Sequence, residues 1–128
     1  MSDAINQCPC ESGKPYRTCC EPFHQGELPP TAEQLMRSRY TAFALGNPSY
    51  LLDSWHPRTR PERIELDPAQ KWLGLKVIET VAGGPGDLTG TVRFVARYKL
   101  EGRGYRIEEH SRFERMNGAW TYMDGEIS

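Results

Sequence analysis

The chain has 128 residues, 38% hydrophobic and 26% charged, with 16 basic residues against 17 acidic ones and a formal net charge of -1. That length suits one compact domain with at most a small appendage. The balanced charge offers no field for nucleic acid, and the short apolar runs offer nothing to span a membrane. The start, MSDAINQ, lacks the basic residues and apolar stretch of a secretory signal, so a cytoplasmic location with reduced thiols is expected.

All four cysteines fall within CPCESGKPYRTCCE, residues 8 to 21. A pair of disulfides is disfavoured by a reducing compartment and by the adjacency of Cys19 and Cys20, since a bridge between neighbours is strained. Dithiol redox chemistry favours Cys-x-x-Cys, whereas this pair is Cys-x-Cys. A tetrahedral metal site fits best. Two ligand pairs joined by a short loop is the plan of structural zinc sites, and four thiolates leave no position open for substrate. Such a cluster carries a double negative charge, which Lys14 and Arg17 in the loop are placed to offset. Backbone N–H groups around Ser12 and Gly13 can hydrogen-bond to sulfur.

EPFHQGELPP then reads as a linker. Thr31 with Gln34 makes a capping box for a helix that runs to about Leu45 and ends at Gly46. Asn47 caps a second helix with Pro48 at its first position, and Pro57 stops it after His56. Residues 58 to 71 are polar loop with a turn after Asp67. From Trp72 the hydrophobic period changes to two. KWLGLKVIETVA, LTGTVRFVARYKL, YRIEEHSRFERM and AWTYMDG read as four strands, separated by GGPGD, EGRG and the hairpin signal NG. Short connections imply an antiparallel meander, and helices before strands imply an α+β domain.

Alternation places Val92, Phe94, Ala96 and Tyr98 on one face. Tyr105, Ile107, Glu109, Ser111 and Phe113 share it, as do Trp120, Tyr122 and Asp124. The opposite face carries Arg93, Arg97, Lys99, Arg106, Glu108, His110, Arg112 and Glu114, a solvated surface with cross-strand ion pairs. Glu109 and Ser111 interrupt the apolar face. Arg39 likewise interrupts the helical stripe of Ala32, Leu35, Met36, Ala42 and Phe43. A buried unpaired ion is costly, so Arg39 is expected to meet Glu109 or Asp124 across the helix–sheet interface. Trp55 shares the core spacing of Leu51, and His56 sits at the edge, within reach of a cavity mouth. Arg39, His56, Glu109, Ser111 and Asp124 are thus the pocket candidates.

CPCESGKPYRTCC resembles the SEC-C motif, a short zinc-binding module also found at the C-terminus of the SecA translocation ATPase. LMRSRYTAF, SWHP, WLGLKV, VRFVARY, SRF and WTYMDG follow in the order seen in the YchJ-like family of bacterial proteins. The resemblance implies that Cys8, Cys10, Cys19 and Cys20 ligate a structural Zn2+ in a motif spanning residues 1–27. It implies an NTF2-like domain over 28–128, with a curved sheet wrapped against helices and often a conical pocket between them. Two departures stand out. Glu11 replaces a usual glycine, where a carboxylate beside a negative cluster is expected to weaken binding slightly. The second SEC-C copy that many relatives carry is absent from this sequence.

Two functions follow as expectations. One is an adaptor in which the zinc motif, projecting on its linker, docks a protein partner, as the SecA motif contacts a chaperone and ribosomes. The other is a pocket for a small polar ligand, or for catalysis, built on Arg39, Glu109, Ser111 and Asp124. Release of zinc on thiol oxidation is a third use of the cysteines, with less to support it.

Overall fold

The structure is a computed structural model and describes residues 7–127; the polar N-terminal stretch over residues 1–6 lies outside them. A 3-10 turn at Tyr16–Thr18 and one helical turn, α1 (Glu21–His24), precede the main helix α2 (Ala32–Leu45) and the short α3 (Pro48–Asp53). Four long strands follow: β1 (Lys71–Ala82), β2 (Thr89–Leu100), β3 (Arg103–Met116) and β4 (Ala119–Ile127). They form one antiparallel sheet in the order β1-β2-β3-β4, the predicted meander. No helix among the described residues is long and apolar enough to cross a membrane.

The helix signals operate as the sequence indicates. Thr31 Oγ1 accepts from the Gln34 N–H at 3.1 Å, and Gly46 closes α2 in the left-handed conformation. Asn47 Oδ1 accepts from Tyr50 N–H at 3.1 Å, with Pro48 at the first position of α3. Two features differ. The predicted linker contains α1, whose first turn holds Pro22. And α3 stops at Asp53 rather than His56, because the chain there pairs with β4. Tyr122 N–H donates to Ser54 O at 2.9 Å, and His56 N–H donates to Tyr122 O at 2.8 Å. Sheet pairing thus captures Trp55 and His56 before Pro57 can act.

Register shifts in β1 fall between Trp72 and Gly74 and between Val77 and Glu79, irregularities of the kind that bend and twist a strand. Leu35, Met36, Tyr40 and Ala32 of α2 pack on Leu75, Val92, Ala96, Phe113 and Trp120 in one buried core, which also takes in Cys8, Cys10 and Cys20. Trp120 Nε1 donates to Pro30 O, and Ala32 N–H to Gly83 O, fastening the start of α2 to both ends of the sheet. The other face is charged as expected. Arg93 and Arg106 each lie 3.4 Å from Glu108, and His110 is exposed.

A third irregularity changes an assignment. In the β3–β4 ladder Phe113 pairs with Tyr122, but Arg112 pairs with Asp124, so Met123 is an extra residue. A one-residue bulge inverts the alternation beyond it. Asp124 therefore joins the outer face, where Arg112 holds it through two hydrogen bonds of 2.6 Å. It is not an interior carboxylate.

Candidate metal centre and interior cavity

The cysteines converge through two short devices. Gln7 and Pro15 form an antiparallel bridge, Cys8 N–H donates to Lys14 O, and Glu11 N–H donates to Cys8 O. This tight loop turns Cys8 and Cys10 to the same side. The 3-10 turn, closed by Cys19 N–H to Tyr16 O at 3.0 Å, delivers Cys19 and Cys20 from the other. The four sulfurs lie within 4.8 Å of one another, with Cys10–Cys19 at 3.6 Å and Cys19–Cys20 at 3.9 Å. An ion held tetrahedrally by thiolates at about 2.3 Å needs sulfurs about 3.8 Å apart. The cluster fits that requirement and can hold a metal ion. All four cysteines are free rather than disulfide-bonded.

The electrostatics call for a cation. Hydrogen bonds from the Cys20 and Cys8 thiols hold Cys10 far below the ordinary thiol range, and serving as donor to Cys10 and Cys8 pushes Cys20 far up. Burial pushes Cys19 up to about 11. Without a cation Cys10 is thus the favoured thiolate, while Cys19 and Cys20 resist ionisation. A divalent ion at the centre reverses that resistance.

Most of the supporting groups come from α2 rather than the loop. Thr41 Oγ1 lies 3.4 Å from Cys20 Sγ and 3.5 Å from Cys8 Sγ. Arg37 Nη1 donates to Cys10 O at 2.7 Å, and its Nε pairs with Glu33 at 3.0 Å. Burial works against the Arg37 charge, but Glu33 and the Cys10 sulfur more than compensate, and its pKa is raised. From the loop, Ser12 Oγ reaches Cys19 Sγ at 3.1 Å. Lys14 and Arg17, expected to balance the cluster, make no hydrogen bond to its sulfurs. His24 joins motif and helix, with Nδ1 on Tyr16 OH and Nε2 on Ser38 O, each at 2.8 Å. The one sequence trace of these supports is the spacing of Glu33, Arg37 and Thr41, a polar stripe at four-residue intervals along α2.

Glu11 also has work to do. It adopts φ of 62°, the left-handed conformation that explains why glycine suits this position. Its Oε2 accepts from Leu75 N–H at 2.9 Å, beside the β1 bulge. The carboxylate is spent on tying the loop to the sheet, so the motif is docked on the domain through α2 and β1 rather than projecting from it.

Between α2, Trp55 in the segment after α3, and the inner face of the sheet lies a cavity of about 240 Å³. Arg39, Glu109 and Ser111 line it, together with Trp55, Trp72, Tyr122 and a set of apolar side chains. Arg39 is 6% exposed and forms no ion pair with Glu109 or Asp124. Its Nη1 donates instead to Leu51 O and Ser54 Oγ, both at 2.7 Å. Its guanidinium lies 4.4 Å from the centre of the Tyr122 ring and 4.9 Å from that of Trp55. Burial lowers its pKa to about 10, which leaves it charged at neutral pH. Glu109 Oε2 accepts from Ser111 Oγ and from Tyr122 OH. Burial, with the Glu109 charge next, pushes the Tyr122 phenol well up.

The two remaining candidates lie elsewhere. Asp124 is on the outer face. His56 does not line the cavity: its Nδ1 accepts from Arg58 N–H at 3.0 Å, which leaves Nε2 as the N–H 3.6 Å from Glu114 Oε1.

The fold and the cysteine cluster together define an NTF2-like domain carrying a SEC-C motif. The family model for the YchJ middle NTF2-like domain matches residues 31–125, and the model for the SEC-C motif matches residues 6–22. The chain belongs to this YchJ-like family. Among curated proteins it is 53% identical over 121 residues to a UPF0225 protein of Streptomyces coelicolor, covering 94% of each chain. It is 52% identical over 122 residues to a UPF0225 protein of Corynebacterium glutamicum, covering 94% of this chain and 97% of that one. Among solved structures, a SEC-C motif containing protein from Rhodopseudomonas palustris superposes with a TM-score of 0.81 at 31% identity. The match covers 94% of this chain and 98% of that one. One from Psychrobacter arcticus gives 0.77 at 26% identity, covering all of this chain and 86% of that one.

Proposed function

We propose that Cys8, Cys10, Cys19 and Cys20 bind one structural Zn2+, and that the domain this ion staples together is a binding module for a small polar ligand in its interior cavity. Zinc is the ion whose preferred thiolate geometry and redox inertness suit a closed four-sulfur site. The carrying observation for the ligand is the 240 Å³ cavity itself, which a charged arginine and a carboxylate line without pairing with each other. A purely structural interior would close such a space or neutralise the charges in it. In this reading the cysteine motif and the domain over residues 28–128 work as one unit, with Cys8, Cys10, Cys20 and His24 bracing α2, from which Arg39 reaches the cavity.

The test is an NMR titration of the metal-loaded protein with toluene, a neutral probe of cavity access. Shift changes confined to the lining residues, lost in Ala96→Leu, which fills the space, support a ligand site. An interior that takes up no probe overturns it.

The adaptor reading keeps one observation in its favour. Cys19 is the ligand left half-exposed, and beside it Ser12, Lys14, Thr18, Phe23 and Arg37 help line an open groove of about 360 Å³. Because the other three cysteines belong to the core, cysteine variants would report folding rather than docking. Lys14→Glu and Phe23→Ala are the better probes in co-precipitation. A partner retained by the parent and lost by both variants, with metal still bound, supports an adaptor; equal recovery of every partner rejects it.

A further inference from the structure

The cavity holds polar groups that are only half used. Arg39 spends Nη1 on Leu51 O and Ser54 Oγ, while its Nε and Nη2 have no acceptor among the described residues. Trp55 Nε1, from another lining residue, is buried without a partner. The same cavity is lined by one carboxylate. Glu109 Oε2 is occupied by Ser111 and Tyr122, and Oε1 accepts no hydrogen bond among the described residues. Glu109 contributes to the electrostatic surroundings of Arg39, yet the two stand further apart than the 4.0 Å of an ion pair. One cationic edge and one anionic oxygen are therefore both unspent, at separate points of the same cavity. The rest of the lining, including Met36, Phe43, Phe94, Ile107 and Phe113, is apolar.

This arrangement is built into the backbone. A Cβ on Gly125 would meet the Glu109 carboxylate and its Cγ at 2.9 Å, so glycine there gives Glu109 the room to lie over β4 in this position. Ser54, at the end of α3, is itself fixed by donating to Tyr50 O at 2.7 Å, and so presents its oxygen to Arg39. Both charged groups are held by neighbours rather than left to swing together.

We infer that the cavity takes a small zwitterion with an apolar body, of the class of a free α-amino acid with an aromatic or branched side chain; this rests on the cavity being a ligand site. The ligand carboxylate takes the free edge of Arg39, its ammonium group takes Glu109 Oε1, and its side chain lies among the aromatic residues. A simple anion would meet the Glu109 charge, and a simple cation would meet Arg39. Only a molecule carrying both charges satisfies both groups. A volume of 240 Å³ corresponds to about eight waters, or to a ligand of about a dozen non-hydrogen atoms.

The experiment uses the full metal-loaded chain and four probes: L-phenylalanine, 3-phenylpropionate, 2-phenylethylamine and toluene. Binding is read by calorimetry and by the indole N–H signals of Trp55 and Trp72. Phenylalanine is expected to bind about tenfold or more tighter than either singly charged analogue, since each lacks one charge-assisted contact. In Glu109→Gln the phenylalanine affinity should fall about tenfold toward that of 3-phenylpropionate, while 3-phenylpropionate binds as well or better. Arg39→Gln, which removes the cation, should show the mirror pattern with 2-phenylethylamine; if either variant fails to fold, Arg39→Lys should keep the preference for phenylalanine over 2-phenylethylamine, and its loss there would count against the inference. A singly charged analogue that binds as tightly as phenylalanine overturns the inference. If toluene binds and phenylalanine does not, the zwitterion falls while the cavity stands as a ligand site; if none of the four binds, both fall.

Discussion

Replacing Thr41 with valine removes one hydroxyl and leaves the side chain's shape almost unchanged. Thr41 is fully buried, and that hydroxyl lies 3.4 Å from Cys20 Sγ and 3.5 Å from Cys8 Sγ. In the metal-bound state both sulfurs are thiolates and the single O–H serves one at a time. A hydrogen bond to a charged group contributes about 1.5–3 kcal/mol, and a long contact to sulfur belongs at the lower end. Metal affinity should therefore fall about 10- to 30-fold, within the range seen when groups behind metal ligands are removed. In the metal-free state donation to Cys10 and Cys8 keeps the Cys20 thiol protonated, so the loss of the Thr41 contact to it should stay near about 1 kcal/mol, the size of a neutral hydrogen bond. Competition with a chromophoric chelator measures the first quantity, and denaturant unfolding of the metal-free protein the second. If affinity changes less than about twofold in a folded variant, Thr41 does not steady the ligands. If the metal-free form loses as much stability as the metal-bound form, its role is packing alone.

Three further outcomes are expected. Chelation under reducing conditions should lower Tm by about 10 °C for 128 residues when metal was held near 100 times its dissociation constant, from about 2.7 kcal/mol of linkage and about 2.1 cal/mol/K of unfolding entropy per residue; calorimetry showing an unchanged Tm would contradict it. Gly125→Ala should cost about 1–3 kcal/mol in urea unfolding, because Glu109 must shift off β4. A neutral result would mean that Glu109 moves freely. Arg112, through its hydrogen bonds, holds Asp124 below the usual carboxylate range. Its contribution is therefore present above the unfolded value of about 3.9 and lost as pH falls through the lower folded value. The Tm difference between parent and Asp124→Asn, small because the pair is exposed, should close as pH drops from about 4 toward 2; a difference that widens would reverse the assignment.

The parts of the molecule that were legible in the sequence are those fixed by local chemistry. Alternation and turn residues marked β1 to β3 within a residue or two, and Thr31, Gly46 and Asn47 marked the helix ends they cap. The cysteine spacing announced a cluster. What escaped depends on partners far along the chain. The extra residue at Met123 leaves WTYMD looking like an ordinary alternating strand, so nothing in it reveals that Asp124 turns outward to Arg112. The end of α3 is decided by Tyr122, and the cysteine cluster is supported by Arg37 and Thr41 on α2. Arg39 was correctly read as buried, but a carbonyl, a hydroxyl and two rings satisfy it where a carboxylate was expected. Sequence spacing cannot distinguish those solutions, because the helix-end groups of α3 meet Arg39 only in the folded chain.

The most direct test of the account is the metal itself. Elemental analysis combined with X-ray absorption on folded protein, prepared anaerobically and never exposed to chelators, should find one zinc per chain with four sulfur neighbours at about 2.3 Å. Folded protein without stoichiometric metal, or a bound ion whose neighbours include nitrogen or oxygen in place of a sulfur, would contradict it.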